Sequence, residues 1–391
     1  MHRSAFAFFN VCNNNVTFAG HSRQLYRLLT NLPMRSSLLI SLLIASVTFL
    51  KAQSETLDAF INSYVKEHQF NGTILVQQDG EVRFEKSFGL AERSFQVPLN
   101  NQTVYHIASV TKLFTSVLIL QLCENGKIGL HESIKHYLPD YPGNGGDAVN
   151  IHQLLNHTSG LPDMDTTSSM ESALMYGVPA YQIPATTEQL VLRNASGELV
   201  NPPGQVFSYN NADYILLGKI IETICKQPFD TVLRRKILQP LGMSHSGMLA
   251  QHKIIDNLAV SYFYRDDLNA LVPNLPVYYE NWYAAGSMYS TAEDLLKFNQ
   301  ALFSLKLIGQ KSLDLLLTPG LDRYGYGMWI DEYEIGGIKY RAAKRPGLIM
   351  GSQAMLLHFL DTDLTVIILS NTGNIGLDQM VKQISIAALG G

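Results

Sequence analysis

A serine and a lysine three residues apart raise the first chemical question. In IASVTKLFT (residues 107–115), Ser109 opens an apolar run and Lys112 follows one turn later. Side chains at i and i+3 share a helix face, so a neutral lysine amine could take the serine proton and create a nucleophile. The spacing equally suits a helix N-cap followed by a solvated lysine, and Ser63 and Lys66 repeat it in NSYVKE. The pair needs support from the rest of the chain.

A tyrosine and an asparagine form the second candidate element. Tyr209 and Asn211 lie in FSYNNADY, shortly after PPG. A tyrosine held near cations can serve as acid or base in acyl transfer, and an asparagine can orient a substrate amide and the lysine. Tyr279 and Asn281 have the same spacing, so an ordinary structural role is the alternative.

The third element is AKRPGLIMGSQA at residues 343–354, where a basic residue and a glycine lead into a strand. A fixed cation at Arg345 would hold a carboxylate. Gly347 would let a substrate approach the strand backbone closely, because it has no side chain.

A helix and a sheet must position these residues. Residues 109–124 are predicted to form a helix that ends near Gly126, with Ser109 at the N-terminus, where free N–H groups favour developing negative charge. Its predicted buried stripe comprises Val110, Leu113, Phe114, Val117 and Leu118.

The order of elements predicts the fold class. A helix precedes two alternating runs joined by Asp79-Gly80, a strong hairpin signal. A long helical block follows, and from about residue 325 further strands return, joined by Gly336-Gly337 and by residues 361–363, before a closing helix. This order predicts an α+β fold in which an antiparallel β-sheet is flanked by N- and C-terminal helices and carries an inserted, mainly helical lobe.

The first 52 residues differ in composition from the rest. They contain five Lys and Arg and no Asp or Glu, and residues 38–50 are mostly apolar. That run is shorter than the roughly 20 residues of a membrane-spanning helix, so residues 1–52 are predicted to be a leader. Its signal peptide covers about 34–52, with translation starting at Met34 and cleavage near Ala52. An organelle presequence and a retained membrane anchor are the alternatives.

The charge beyond the leader excludes some partners. Residues 53–391 carry 24 Lys and Arg against 33 Asp and Glu, a net charge of −9. Such a body is a poor ligand for nucleic acid or an anionic membrane, and a small-molecule or peptide substrate is expected instead. No zinc-ligand spacing appears, so neither metal nor cofactor is predicted. Cys123 and Cys225 are expected to be buried free thiols, with a disulfide between them as the alternative. The sequence carries no signal for oligomeric state.

In this order the elements resemble the serine β-lactamase and penicillin-binding protein superfamily, specifically its class C-like branch. The likeness extends to GLAERSFQVPLNNQTVYHIASVTK, IHQLLNHTSGLPD, PPGQVFSYNNADYILLGKIIE, LQPLGMSHSGM and AAGSMYSTAEDLLKF, and covers about residues 55–375. It implies one β-lactamase-like domain over residues 53–391. Its sheet lobe would comprise about 53–108 and 320–391, and its helical lobe about 109–319.

The resemblance also implies roles for individual residues. Ser109 would be the nucleophile and Lys112 its proton acceptor, with Tyr209 as co-candidate for that proton. Asn211 would orient the substrate, and the backbone N–H groups of Ser109 and Leu348 would form the oxyanion hole. His157, in NHTSG, is interpreted as a structural loop residue.

One position departs from the family pattern. The third motif usually reads His-x-Gly or Lys-x-Gly, and here it is Arg345-Pro346-Gly347. Arginine keeps the positive charge and can hold a carboxylate in a bidentate manner, but it does not release its proton in proteins. Binding of an anionic substrate should therefore survive, whereas a proton relay through Arg345 should not.

Two functional hypotheses follow. The first is an exported serine hydrolase, periplasmic or secreted, that cleaves an amide or ester through an acyl-enzyme on Ser109. Its substrates could be β-lactams, D-amino-acid peptides or small esters. The second is a non-catalytic or sensor-like relative that binds or acylates without efficient turnover. An unrelated α/β-hydrolase would need Gly-x-Ser-x-Gly, which the chain lacks.

Overall fold

Strands and helices alternate in blocks along residues 57–165, 170–373 and 375–390, which are the residues described by the computed structural model. The strands are β1 (Gly72–Gln78), β2 (Glu81–Phe88), β3 (Leu90–Glu92), β4 (Val97–Pro98), β5 (Tyr105–His106), β6 (Gly247–Met248), β7 (Tyr262–Arg265), β8 (Ala270–Pro273), β9 (Met288–Ser290), β10 (Trp329–Ile335), β11 (Ile338–Ile349), β12 (Ser352–Phe359) and β13 (Leu364–Ser370).

Most of the helices lie between β5 and β10, whereas the first helix precedes the strands and the last one follows them. The helices are α1 (57–67), α2 (Thr111–Glu124), α3 (Ile134–Tyr137), α4 (Ile151–Leu155), α5 (Met170–Tyr176), α6 (Pro179–Gln182), α7 (Thr187–Asn194), α8 (Asn211–Cys225), α9 (Phe229–Leu233), α10 (Tyr283–Gly286), α11 (Ala292–Phe303), α12 (Gln310–Leu317) and α13 (Leu377–Leu389).

Six strands form an antiparallel sheet in the order β10-β11-β12-β13-β1-β2. Asp79 and Gly80 have φ of 52° and 79°, and Gly336 and Gly337 have φ of 59° and 79°. Positive φ at both central residues is typical of the tight turn whose twist matches a hairpin. The hairpins predicted at these two dipeptides, and the antiparallel sheet, are confirmed.

The two faces of the sheet face different cores. Ile74, Val76 and Met355 point to a cluster that includes residues of α1 and α13, namely Leu57, Ile61, Met380, Val381 and Ile384. Leu75 and Ala354 point to the opposite side, where a larger cluster contains the buried residues of the helical block. Because successive side chains of a strand point to opposite faces, the sheet packs against both clusters. The predicted flanking of the sheet by the terminal helices is confirmed.

Helix α2 lies at the centre of the larger core. The predicted stripe is fully buried, but Thr115, Ser116 and Ile119 are buried as well, so the helix is covered on nearly all sides. Phe114 stacks on Phe298 of α11, with ring centroids 3.8 Å apart. Gly126, with φ of 66°, follows the helix end as predicted.

The second serine–lysine pair has no such setting. Ser63 and Lys66 lie exposed on α1, whereas Leu57, Ile61 and Val65 of the same helix are buried. They are surface residues of an amphipathic helix.

The predicted leader, residues 1–52, and its cleavage site lie outside the described residues. Within the described part of the chain, no helix is both long and apolar enough to cross a membrane. Cys123 and Cys225 are free and half-buried.

Candidate active site

Ser109 lies in a strained turn that opens directly into helix α2. Residues Ala108–Val110 form a 3-10 turn, and Ala108 has φ of 47°, a left-handed conformation that is costly for a residue with a Cβ atom. The side chain of Thr111 holds the turn, because its hydroxyl donates to Ala108 O (2.7 Å) and accepts from Met288 N (3.1 Å). The turn presents the half-buried Ser109 hydroxyl beyond the end of a buried helix.

The side chains predicted to act together do converge on Ser109. Lys112 Nζ lies 3.2 Å from Ser109 Oγ, and Tyr209 OH donates to the same oxygen at 2.9 Å. Lys112 also donates to Asn211 Oδ1 (2.6 Å) and to the carbonyl of Ala285 (2.9 Å). Two of the lysine hydrogens are thus fixed by acceptors, and the third tetrahedral direction faces the serine. In the neutral amine that direction carries the lone pair, the geometry needed to receive the serine proton.

The surroundings of Lys112 and Tyr209 lower the pKa of both proton acceptors. Burial lowers the pKa of Lys112, and the Arg345 guanidinium lowers it further, although Tyr209 opposes this. For Tyr209, burial alone would raise the pKa, but the charges of Arg345 and Lys112 outweigh it and bring the pKa down to about 8. The two groups share a hydrogen-bonded site and titrate as a pair.

Arg345 lies behind the serine rather than in open solvent. The guanidinium is completely buried. It donates to Tyr209 OH (2.6 Å), to Tyr324 OH (2.9 Å) and to the backbone carbonyl of Ser109 (2.7 Å). The sequence suggested a cation that grips a substrate carboxylate. The structure instead gives this cation three partners within the protein, which position the phenol and the serine turn.

Gly347 allows strand β11 to pack closely on the serine turn. A Cβ atom at Gly347 would lie 2.3 Å from Ile107 O and 3.1 Å from Ser109 N. The ladder between β10 and β11 ends at Lys344, whereas that between β11 and β12 continues to Ile349. This stretch of β11 therefore has an edge that β10 does not cover.

Leu348 is placed at this uncovered edge. Pro346 has no N–H to donate, so its position in the ladder with β12 is one whose backbone nitrogen faces away from β12. Backbone groups two residues apart in a strand point the same way, which turns the Leu348 N–H toward the same edge. The Leu348 side chain is 61% exposed. The predicted oxyanion pair, the N–H groups of Ser109 and Leu348, thus lies on two elements in direct contact.

A buried polar cluster of His157, Ser159 and Asp213 packs next to Tyr209. His157 Nδ1 lies 2.9 Å from Asp213 Oδ2, and Asp213 Oδ1 accepts from Ser159 Oγ at 2.6 Å. Burial raises the pKa of Asp213 well above, and lowers that of His157 well below, their ordinary values. The His157 ring packs on the Tyr209 ring (centroids 4.5 Å apart), and its Nδ1 accepts from the backbone N–H of Asn210. His157 ties loop to helix, in keeping with its interpretation as a structural residue.

Four residues at the site were not predicted from the sequence. Tyr324 and Trp329 enclose Arg345, whose guanidinium carbon lies 5.4 Å from the Trp329 ring centroid. Tyr181 and Asp165 contact Asn211: the Asn211 amide nitrogen donates to Asp165 Oδ2 (2.8 Å) and to Tyr181 OH (3.3 Å). The pattern YGYGMW could have drawn attention to Tyr324. Asp165, in a loop rich in Asp, Ser and Thr, carries no distinguishing sequence signal.

Comparison with known proteins assigns the chain to a family. A sequence model of the Beta-lactamase family matches residues 57–388, and the chain belongs to that family.

Individual relatives make the kinship more specific. The Bacillus subtilis protein PbpX, named as a penicillin-binding protein, is 30% identical over 69% of this chain; the chain spans 64% of that relative's length. The Teichoic acid D-alanine hydrolase of Staphylococcus aureus is 24% identical over 80% of the chain and 74% of its own length. The crystal structure of a penicillin-binding protein from Bacillus halodurans superposes with a TM-score of 0.72 at 29% identity, over 83% of this chain and 98% of the other. The predicted superfamily is confirmed.

Proposed function

We propose that this protein is an exported hydrolase that cleaves an amide or ester through a covalent acyl-enzyme on Ser109. The observation that carries the proposal is the convergence of Lys112 Nζ and Tyr209 OH on one serine oxygen, at 3.2 and 2.9 Å. A serine needs an adjacent base to become a nucleophile, and here two groups with lowered pKa values flank it.

In the acylation step, Ser109 Oγ attacks the substrate carbonyl carbon. The serine proton passes to the Lys112–Tyr209 pair, and the resulting oxyanion accepts hydrogen bonds from the backbone N–H groups of Ser109 and Leu348. When the carbon–leaving-group bond breaks, the same pair returns the proton to the departing amine or alcohol. An ester on Ser109 and a free leaving group result.

In deacylation, water repeats the attack. The Lys112–Tyr209 pair takes a proton from the incoming water, the oxyanion forms in the same place, and Ser109 leaves with that proton. The buried Arg345 increases the fraction of Tyr209 in its basic form, because its charge stabilises the phenolate while its own proton stays in place.

Export is proposed on the composition of residues 1–52, which contain five basic and no acidic residues, with an apolar run at 38–50. The expected mature chain begins near Gln53. N-terminal sequencing of protein recovered from the periplasm or culture medium tests this, and full-length protein retained in the cytoplasm would contradict it.

A hydrolysis panel tests the activity. It would compare nitrocefin, a D-Ala-D-Ala peptide, p-nitrophenyl esters and D-alanyl esters; the last class is suggested by the relative named Teichoic acid D-alanine hydrolase. Turnover that Ser109→Ala abolishes would support the proposal. Stoichiometric acylation without product release would favour the alternative, a sensor-like protein.

A further inference from the structure

We propose that Asp165 makes this site selective for substrates with a free, positively charged amino group next to the scissile carbonyl. These are aminoacyl esters or amides, in contrast to N-acylated peptides and β-lactams. The inference rests on the proposed function and narrows its substrate class.

The first observation concerns the hydrogen-bonding capacity of Asn211. Its carbonyl oxygen accepts from Lys112 Nζ (2.6 Å), so its amide nitrogen is the group left to face a ligand. That nitrogen donates to Asp165 Oδ2 at 2.8 Å and to Tyr181 OH at 3.3 Å. An amide nitrogen has two hydrogens, and both have acceptors. A substrate carbonyl that needed a donor from Asn211 would have to displace either the Asp165 carboxylate or the Tyr181 hydroxyl.

The second observation is that Asp165 is firmly placed and yet accessible. Tyr181 OH donates to its other oxygen, Oδ1, and the Tyr181 ring stacks flat on Trp282 with centroids 3.6 Å apart. The preceding loop is tied down because Asn210 Nδ2 donates to the carbonyls of Leu161 and Pro162. Asp165 is nevertheless solvent-exposed. The fixed Asp165 carboxylate can only accept hydrogen bonds, whereas the carbonyl of an N-acyl substrate needs a hydrogen-bond donor at this place. A substrate ammonium group, in contrast, can donate to the carboxylate and is attracted by its charge.

The third observation concerns the cation that would hold a substrate carboxylate. Arg345 is completely buried, with hydrogen bonds to Tyr209, Tyr324 and the Ser109 carbonyl. Lys344, the neighbouring cation, pairs with Asp331 (2.9 Å) and Asp378 (3.1 Å). The Asp165 carboxylate is therefore exposed at the site, whereas the Arg345 guanidinium is buried behind it.

The test compares D-alanine p-nitroanilide with its N-acetyl derivative, which share the leaving group and differ in the amine. We expect kcat/KM to favour the free amine by about 10- to 100-fold, the range for a charge-assisted hydrogen bond. Asp165→Asn should abolish this preference by lowering kcat/KM for the free-amine substrate, whereas kcat/KM for the N-acetyl derivative should not fall in proportion. Asp163→Asn is the matched control: it removes the same charge two residues away and should leave most of the preference in place.

A second measurement needs no variant. The ratio of the two kcat/KM values should fall as pH rises through the amine pKa of about 8, since ionisation of the enzyme affects both substrates and cancels. Ser109-dependent turnover with equal or higher kcat/KM for the N-acetyl substrate would overturn the inference and leave the proposed function intact. So would an Asp165→Asn variant that slows both substrates equally. Absence of Ser109-dependent turnover of any ester or amide would overturn the proposed function itself.

Discussion

Substitution of Arg345 by glutamine tests how the pKa of Tyr209 is lowered. The Arg345 guanidinium donates to the phenol oxygen at 2.6 Å and is completely buried. An opposite charge at this range lowers a pKa by about one to three pH units. Arg345→Gln removes that charge and keeps an amide able to hydrogen-bond, so the pKa of Tyr209 should rise.

The size of the effect follows from the pKa of Tyr209, about 8. Near pH 7, roughly one tenth of such a phenol is ionised. A rise of about two pH units would leave roughly one part in a thousand ionised, so kcat/KM near pH 7 should fall about 100-fold. The required form is the deprotonated one, and activity therefore increases with pH through this pKa. In Arg345→Gln the same increase should occur at higher pH.

The assay is a pH–rate profile of kcat/KM on the best p-nitrophenyl ester of the panel. Lys344→Gln is the matched control, because it removes one positive charge from the adjacent residue of β11, whose side chain points to the opposite face of the strand and pairs with Asp331 and Asp378. Its profile should match the wild type, and Arg345→Lys should recover part of the lost rate. An Arg345→Gln profile that falls uniformly at all pH values, with no displacement, would refute the reasoning.

Two further substitutions test the geometry around the serine. Gly347→Ala places a Cβ atom 2.3 Å from Ile107 O and 3.1 Å from Ser109 N, so β11 must move away from the turn. We expect kcat/KM to fall about 10²–10³-fold, because the two oxyanion donors separate. An unchanged rate would mean that the oxyanion is bound elsewhere. Asp213→Ala removes the buried carboxyl group that pairs with Ser159 and His157. Urea denaturation should show a loss of roughly 2–4 kcal/mol in the free energy of unfolding, whereas a change below about 1 kcal/mol would contradict the supporting role of the cluster.

The fold was predictable where local chemistry leaves few choices. Asp79-Gly80 and Gly336-Gly337 need positive φ at both central residues, so each dipeptide indicates a hairpin wherever apolar runs flank it. The burial of helix α2 was only half predicted. Thr115 and Ser116 read as polar positions, but their hydroxyls reach Ala284 O and Tyr214 OH on elements more than 90 residues away.

The residues of the site were likewise predictable only in part. Ser109, Lys112, Tyr209 and Asn211 could be selected from their motifs, and they meet as expected. The role of Arg345 could not be read from its sequence, because a basic residue before a glycine is compatible with a side chain that faces either the cleft or the core. Asp165 was missed for a related reason: its significance comes from a contact with Asn211, which follows 46 residues later in the chain, and no local pattern encodes that contact.

Covalent trapping of Ser109 is the most direct test of the central claim. The protein would be incubated with a fluorophosphonate probe and with a β-lactam, and its intact mass measured before and after, followed by peptide mapping of residues 107–115. The account predicts one adduct per chain, located on Ser109, absent in Ser109→Ala and formed more slowly in Tyr209→Phe. An unmodified mass after prolonged incubation with both reagents, or an adduct on another residue, would contradict it.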